Sequence, residues 1–158
     1  MIVFSNTTPF IALASVDALH LMPSLFQRVR AVASVAEECR AGGPIPVPEL
    51  SSLPWLEIVP VPKPSATPSP LWELDAGERD TIELACANKA HLVIMDEKLG
   101  RNHAEFLGLK VTGTLGVLLK ARKAGLISSF TKMAEEMRAQ GIHYNPKLVA
   151  RLAASIGE

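Results

Sequence analysis

An excess of charge of one sign is the first thing this 158-residue sequence lacks: 16 Lys and Arg stand against 16 Asp and Glu. Zero net charge excludes a protein that clings to nucleic acid over its whole surface, although it leaves room for a local basic patch. Long apolar runs are missing too, none approaching the roughly 18–20 residues of a membrane span. The opening Met1-Ile2-Val3-Phe4 has no basic lead-in and turns polar at Ser5, unlike a secretory signal. Cysteine is scarce: Cys39 and Cys86 share no CxxC spacing and read as buried free thiols of a cytoplasmic protein. The four histidines form no HExxH and no Cys/His pattern, which removes the usual zinc sites. Aromatics are only 5%, with no run of them on which bases could stack.

What is present is a globular balance, 48% hydrophobic and 20% charged. At this length one domain spanning 1–158 is expected. Proline is unevenly placed: nine of the 12 fall within residues 44–70. Inside that stretch Trp55–Val59 suits an edge strand, because proline is kept out of central ones. Val61–Pro70 should run as a polyproline-like surface crossing. Ile2-Val3-Phe4 reads as a buried central strand, and a hydroxyl cap followed by Pro9 starts a helix to about Ala14. Helices are expected over Ala18–Phe26, over Ser34–Ala41 with Ser34 as cap, over Asp75–Asn88 and over Lys98–Leu107. Three more should cover Thr114–Ala124, with Thr114 as cap, Ser128–Gln140 and Pro146–Ile156. Strands are expected at Val29–Ala33, Leu92–Met95 and Lys110–Thr112. Strands alternating with helices predict a three-layer α/β/α sandwich around a mostly parallel sheet.

In such sheets ligands bind beyond the carboxyl ends of the strands. The first strand delivers Asn6 there, and the strand at Leu92–Met95 delivers Asp96-Glu97. Val35, Glu38 and Cys39 share one helix stripe, so Glu38 leans inward while Glu37 points away. Ile82, Ala85 and Cys86 form the stripe of a later helix, and Glu78 opens that face, with Asp80 and Glu83 off it. Each residue also has a plainer reading. Asp75 and Glu78 have the spacing of a capping box, Asp96 can cap the following helix, Asn6 can stabilise a turn, and Glu38 can be a solvated helix residue. Convergence favours the joint reading, because carboxylates gathered at one edge repel unless a cation neutralises them. Oxygen-only donors select a hard ion such as Mg²⁺ or Mn²⁺.

Ser5-Asn6-Thr7-Thr8-Pro9-Phe10-Ile11-Ala12-Leu13, Gly77-Glu78 and Leu92–Glu97 resemble the motifs of PIN-domain proteins. Gly100-Arg101, Gly108-Leu109, Gly113–Ala121 and Gly125-Leu126-Ile127 are similar to a bacterial and archaeal branch of VapC-like toxins. The resemblance covers residues 1–130. It implies a metal-dependent nuclease, usually an endoribonuclease and in many cases the toxin of a toxin–antitoxin pair. It also implies an acidic quartet that binds Mg²⁺ or Mn²⁺ to activate water. Position by position, the quartet falls on Asn6, on Glu38 with Glu37 as the alternative, on Glu78, and on Asp96 with Glu97 beside it. Thr7 or Thr8 matches a hydroxyl that orients water. The departure is Asn6, where active members carry Asp. The resemblance further implies a homodimer and a small antitoxin as partners, with RNA as substrate.

Charge placement is compatible with that substrate. Residues 1–79 hold 5 basic and 8 acidic residues, and 80–158 hold 11 and 8. Lys98, Arg101, Lys110, Lys120, Arg122 and Lys123 stand against Glu105 alone in 98–123. Lys98 and Arg101 directly follow Asp96 and are placed to hold phosphate. A receiver-like signalling domain is also doubly wound, but it expects acids where this chain has Asn6-Thr7. Exposed apolar residues of the two terminal helices would serve partners or complete the core.

Overall fold

The computed structural model describes residues 1–62, 71 and 73–158. The central strand is the one at the amino terminus. β1 (Val3–Ser5), β2 (Val29–Val32), β3 (Leu56–Val59), β4 (Leu92–Ile94) and β5 (Val111–Thr112) form one sheet in the order β3-β2-β1-β4-β5. Every pairing in it is parallel. A parallel sheet needs cover on both faces, and β1 is accordingly buried at every position. Proline-flanked β3 takes the edge, as its composition requires.

From β1 the chain steps outward through β2 to β3, then returns across the sheet and steps the other way through β4 to β5. Right-handed crossovers taken in opposite directions place their helices on opposite faces. On one side are α1 (Thr7–Ala14) and α2 (Leu21–Phe26), against which α6 (Thr114–Lys123) packs. On the other, α4 (Ala76–Ala87) lies over β1 and β2 and meets α5 (Lys98–Phe106). α3 (Ala33–Ala41) touches both α1 and α4, while α7 (Phe130–Ala139) packs on α6 and α8 (Pro146–Ser155) on α7. Phe4, Phe10, Leu13, Ile82, Ile94 and Leu118 are fully buried between the layers. The architecture is the expected α/β/α sandwich, with every strand pair parallel.

Local details differ from the sequence reading for identifiable reasons. α1 begins at Thr7 with Asn6 before it and Pro9 two residues further in, so no hydroxyl caps it. The second helix starts at Leu21 rather than Ala18, because the Ala18 amide closes α1 by donating to Leu13 O, with Asp17 at φ 54°. Val32, not Ser34, precedes α3; the Ser34 hydroxyl donates instead to Asp80 on α4 at 2.6 Å. Gly113 precedes α6, so Thr114 is its first residue rather than its cap. Cys39 is buried as expected, but Cys86 is exposed and lies off the buried stripe. Asp80, expected off that stripe, is buried. Most of the expected polyproline crossing, residues 63–70, lies outside the described residues.

Glu158 ties the last three helices together. Its carboxylate accepts from Ser129 Oγ at 2.8 Å and from the amides of Phe130 and Thr131 at the start of α7, and it pairs with Arg122 of α6 at 3.3 Å. The Phe130 amide, then the Ser129 hydroxyl, hold the carboxyl down at about 2, against an ordinary 4.5. A depressed carboxyl stabilises the fold above its unfolded value and loses that contribution as pH falls through its folded one. Glu158→Gln should therefore lower the melting temperature at pH 7 by a few degrees. The gap from the natural chain should close between pH about 4.5 and about 2, as thermal melts at stepped pH will show.

Candidate active site

The order of strands reverses beside β1, between it and β4, and that is where the polar strand ends emerge. Ser5 is in register with Ile94, and the Asn6 amide donates to Ile94 O at 2.9 Å, so Asn6 and the Met95-Asp96 step leave the sheet side by side. A crevice at such a reversal is the default ligand site of an open parallel sheet. Asn6 is only 2% exposed, its side chain does not cap α1, and its Oδ1 has no hydrogen-bond partner among the described residues. A buried amide oxygen left without a donor costs about 1–3 kcal/mol, so this atom calls for a ligand.

α3 brings Glu38 to this edge. Glu37 is exposed and Glu38 half-buried, so Glu38 is the one that turns inward. One of its oxygens accepts from Thr7 Oγ1 and the other from the Gly77 amide at 3.0 Å. A Cβ on Gly77 would stand 2.6 Å from Glu38 Oε1, so a side chain there would push this carboxylate aside. The Ser34–Asp80 hydrogen bond joins the same two helices a turn away. Glu38 is thus a positioned acid rather than a solvated one.

Glu78 is 7% exposed near the start of α4. Half of the expected capping box forms: Asp75 accepts from the Glu78 amide at 2.8 Å. The Glu78 carboxylate lies against the first turn of α5, where a Cβ on Gly100 would stand 2.5 Å from Oε2. Burial first, then hydrogen bonding to Asp75 and the charges of Asp75 and Glu97, push its carboxyl up to about 8. Burial, which penalises the charged form, thus favours the protonated carboxyl at neutral pH.

Asp96 is half-buried and does not cap α5; Glu97 occupies that position and is exposed. Asp96 instead receives the start of α6, with Thr114 N on Oδ1 and Thr114 Oγ1 on Oδ2, both at 2.7 Å. Tyr144, between α7 and α8, donates to Oδ2 at 3.0 Å. Burial, then the Asp96 charge, raise this phenol above its ordinary value, so it stays a donor. The guanidinium of Arg101 and Asp96 Oδ1 both lie 2.8 Å from where a Cβ on Gly113 would sit, so a cation adjoins the acid. Lys98 is exposed one turn earlier. Two other cations of the basic stretch are engaged elsewhere, Lys120 over the Phe26 ring at 5.4 Å and Arg122 with Glu158.

The donor set is all oxygen, including an amide oxygen that has no hydrogen-bond partner among the described residues, and that chemistry fits a hard divalent cation. Among the described residues no three His, Cys, Asp or Glu side chains gather closely enough to encircle an ion by themselves. Mg²⁺ suits such an open arrangement, since it keeps several waters and takes one or two carboxylates. Beside Glu38 a hollow of about 270 Å³ opens between α3 and the α7–α8 link, lined by Ile11, Ile45, Val47 and Ile142 among others.

The residues the sequence reading passed over are Ser34 as a cross-helix tie, Asp80, and Tyr144. A lone tyrosine in an irregular link carries no periodicity, so no pattern signals it. Among the described residues no helix is long and apolar enough to cross a membrane.

Comparison with known proteins agrees with this topology. No curated protein matches the chain. A solved structure of a PilT N-terminus domain protein from the hyperthermophilic archaeon Sulfolobus solfataricus P2 is similar, with a TM-score of 0.55 at 16% identity. The match covers 92% of this chain and 98% of that one, and at this identity it speaks for the fold. The family described as DUF3368: PIN domain matches residues 2–158, and with the strand order and the polar strand ends in place, this chain belongs to the PIN-domain family, generally a nuclease fold.

Proposed function

We propose that this chain is a Mg²⁺- or Mn²⁺-dependent endoribonuclease, the toxin of a toxin–antitoxin pair. The observation that carries the reading is Asn6 Oδ1, without a partner among the described residues, beside Asp96 at the strand-order reversal of a PIN fold. Asp96, Glu78 and Glu38 are the charged ligands, Asn6 a neutral one, and Glu97 adds negative field from the rim. When bound, the cation supplies positive charge against the phosphoryl oxygens and a more acidic water. Glu78 would hold the ion as the carboxylate, its proton lost to solvent. Thr7 fixes Glu38 by donating to it, while Arg101 and Lys98 hold phosphate on the flank of Asp96. Single-stranded RNA incubated with the protein should be cut in Mg²⁺ or Mn²⁺ and left intact in chelator. Equal cleavage in chelator would sink the reading.

A second reading rests on Asn6 alone: a PIN domain with one charge missing that binds RNA or protein without cutting. The two free cysteines suit a reducing cytoplasm in either case. An antitoxin is tested by co-expression: the product of a small neighbouring reading frame should relieve growth arrest caused by this chain.

The apolar residues of the terminal helices complete the core, one of the two uses expected of them, so for a homodimer we propose a surface on α5. Leu148, Val149, Leu152 and Ile156 of the C-terminal segment pack against the core. α5 instead presents Phe106 at 90% exposed and Leu99 at 49%, with Leu107 just beyond it at 45%. They rim a hollow of about 320 Å³ shared with Leu71, Asn102 and His103. Phe106→Glu should convert a dimer to a monomer in light scattering at unchanged melting temperature. An unchanged mass would place the interface away from α5.

A further inference from the structure

Tyr144 does more than fill space between the last two helices. A carboxylate offers about four lone-pair sites, two on each oxygen. On Asp96 Oδ2 both are taken, one by Thr114 Oγ1 at 2.7 Å and one by the Tyr144 hydroxyl at 3.0 Å. On Oδ1, among the described residues, only the Thr114 amide donates, at 2.7 Å. One lone pair therefore remains on one oxygen.

From this geometry we infer that Tyr144 is a positioning residue that confines Asp96 to single-oxygen coordination and so favours Mg²⁺ over Ca²⁺. The inference rests on the reading that Asp96 meets the cation. Mg²⁺ demands six ligands in near-octahedral array, each from a separate oxygen, whereas Ca²⁺ accepts more ligands and readily takes both oxygens of one carboxylate. For Asp96 to grip a larger ion with both oxygens, Oδ2 would have to release one hydroxyl. The release costs a charge-assisted hydrogen bond, and the cost falls on the two-oxygen mode alone. Tyr144 is held by the fold to perform this. Its phenol is half-buried, and its backbone belongs to the link between α7, which packs on α6, and α8, which packs on α7. The C-terminal helices thus form part of the site through one hydroxyl.

The test is calorimetric titration of Mg²⁺ and of Ca²⁺, each alone, into the full chain and its variants, with no activity readout. Tyr144→Phe keeps the ring and removes the donor, and it should shift the ratio of affinities toward Ca²⁺ by about tenfold, in the range typical of groups that orient a metal ligand. Thr114→Val removes the other Oδ2 donor and should shift the ratio the same way, which keeps the test available if one variant folds poorly. An unchanged ratio in both, while Asp96→Asn abolishes binding, overturns the role of Tyr144 and leaves the metal site standing. Binding that survives Asp96→Asn with both affinities intact overturns the metal role of Asp96, and this inference with it.

Discussion

Asp96→Ala should abolish metal-dependent RNA cleavage, lowering the rate by roughly two to three orders of magnitude or more. The size follows from position. Asp96 leaves the sheet beside Asn6 at the point where the strand order reverses, and a cation adjoins it through Arg101. Removing its carboxylate takes away a charged ligand and the acceptor that holds the first turn of α6. Thr114 N, Thr114 Oγ1 and Tyr144 all lose their partner at once. Loss of a helix-start acceptor costs about 1 kcal/mol, so the alanine variant should also melt earlier. Asp96→Asn separates the two effects. Its amide oxygen still receives the Thr114 amide, and both hydroxyls can turn to accept from the new NH₂ group, so the fold should hold while cleavage disappears. RNA assays and thermal melts on both variants check this. Natural cleavage rates in the alanine variant would remove Asp96 from the chemistry.

How far the sequence foretold this arrangement depends on the kind of signal. Short β-branched runs ending in polar residues are a local property, so the central place of β1, the edge place of β3 and the exit points of Asn6 and Asp96 were all legible. Helix periodicity told Glu38 from Glu37, because one position on a helix turns a side chain by about 100°. What stayed illegible is pairing across the chain. Ser34 looked like a helix cap by its type and place, yet its hydroxyl reaches 46 residues on to Asp80. Asp96 likewise looked like the cap of the next helix and instead holds the one after it. A capping side chain has the same chemistry whichever helix it serves, and only the packing of α4, α5 and α6 decides. Cys86 was misjudged because an apolar residue beside a stripe is read onto it. α4 buries Gly77, Glu78, Asp80, Thr81, Ile82 and Ala85 and leaves Cys86 outside. The exposed apolar face of α5 was missed because apolar periodicity reads as core whenever no partner is in view.

Asn6→Asp should raise divalent-cation affinity by at least about tenfold and make the metal-free protein less stable. Both effects have one electrostatic cause. Asn6 is 2% exposed, and its Oδ1 has no partner among the described residues. A carboxylate there joins Asp96 and Glu78, and Glu78 is already pushed up to about 8 by burial and acidic neighbours. Without a cation the added charge is buried and repelled, so melting temperature should fall. With a divalent cation the same charge is attracted: at a separation of 4 Å and an effective dielectric of 20 the interaction is about 8 kcal/mol, twice the value for two unit charges. Desolvation consumes part of that, and a remainder of about 1.4 kcal/mol already gives the tenfold gain. The variant should therefore melt below the natural chain in chelator and gain more stability from Mn²⁺, in proportion to the tighter binding. Cleavage then separates the two functional readings. A rate that climbs from near zero once the charge is restored identifies the natural chain as a weakened PIN domain that binds without cutting. A natural chain that already cuts, with a variant that gains affinity and little rate, identifies Asn6 as a neutral ligand in a working nuclease, and that is the result expected here. Unchanged affinity would show that no cation meets residue 6, and the orphaned oxygen would then need another partner.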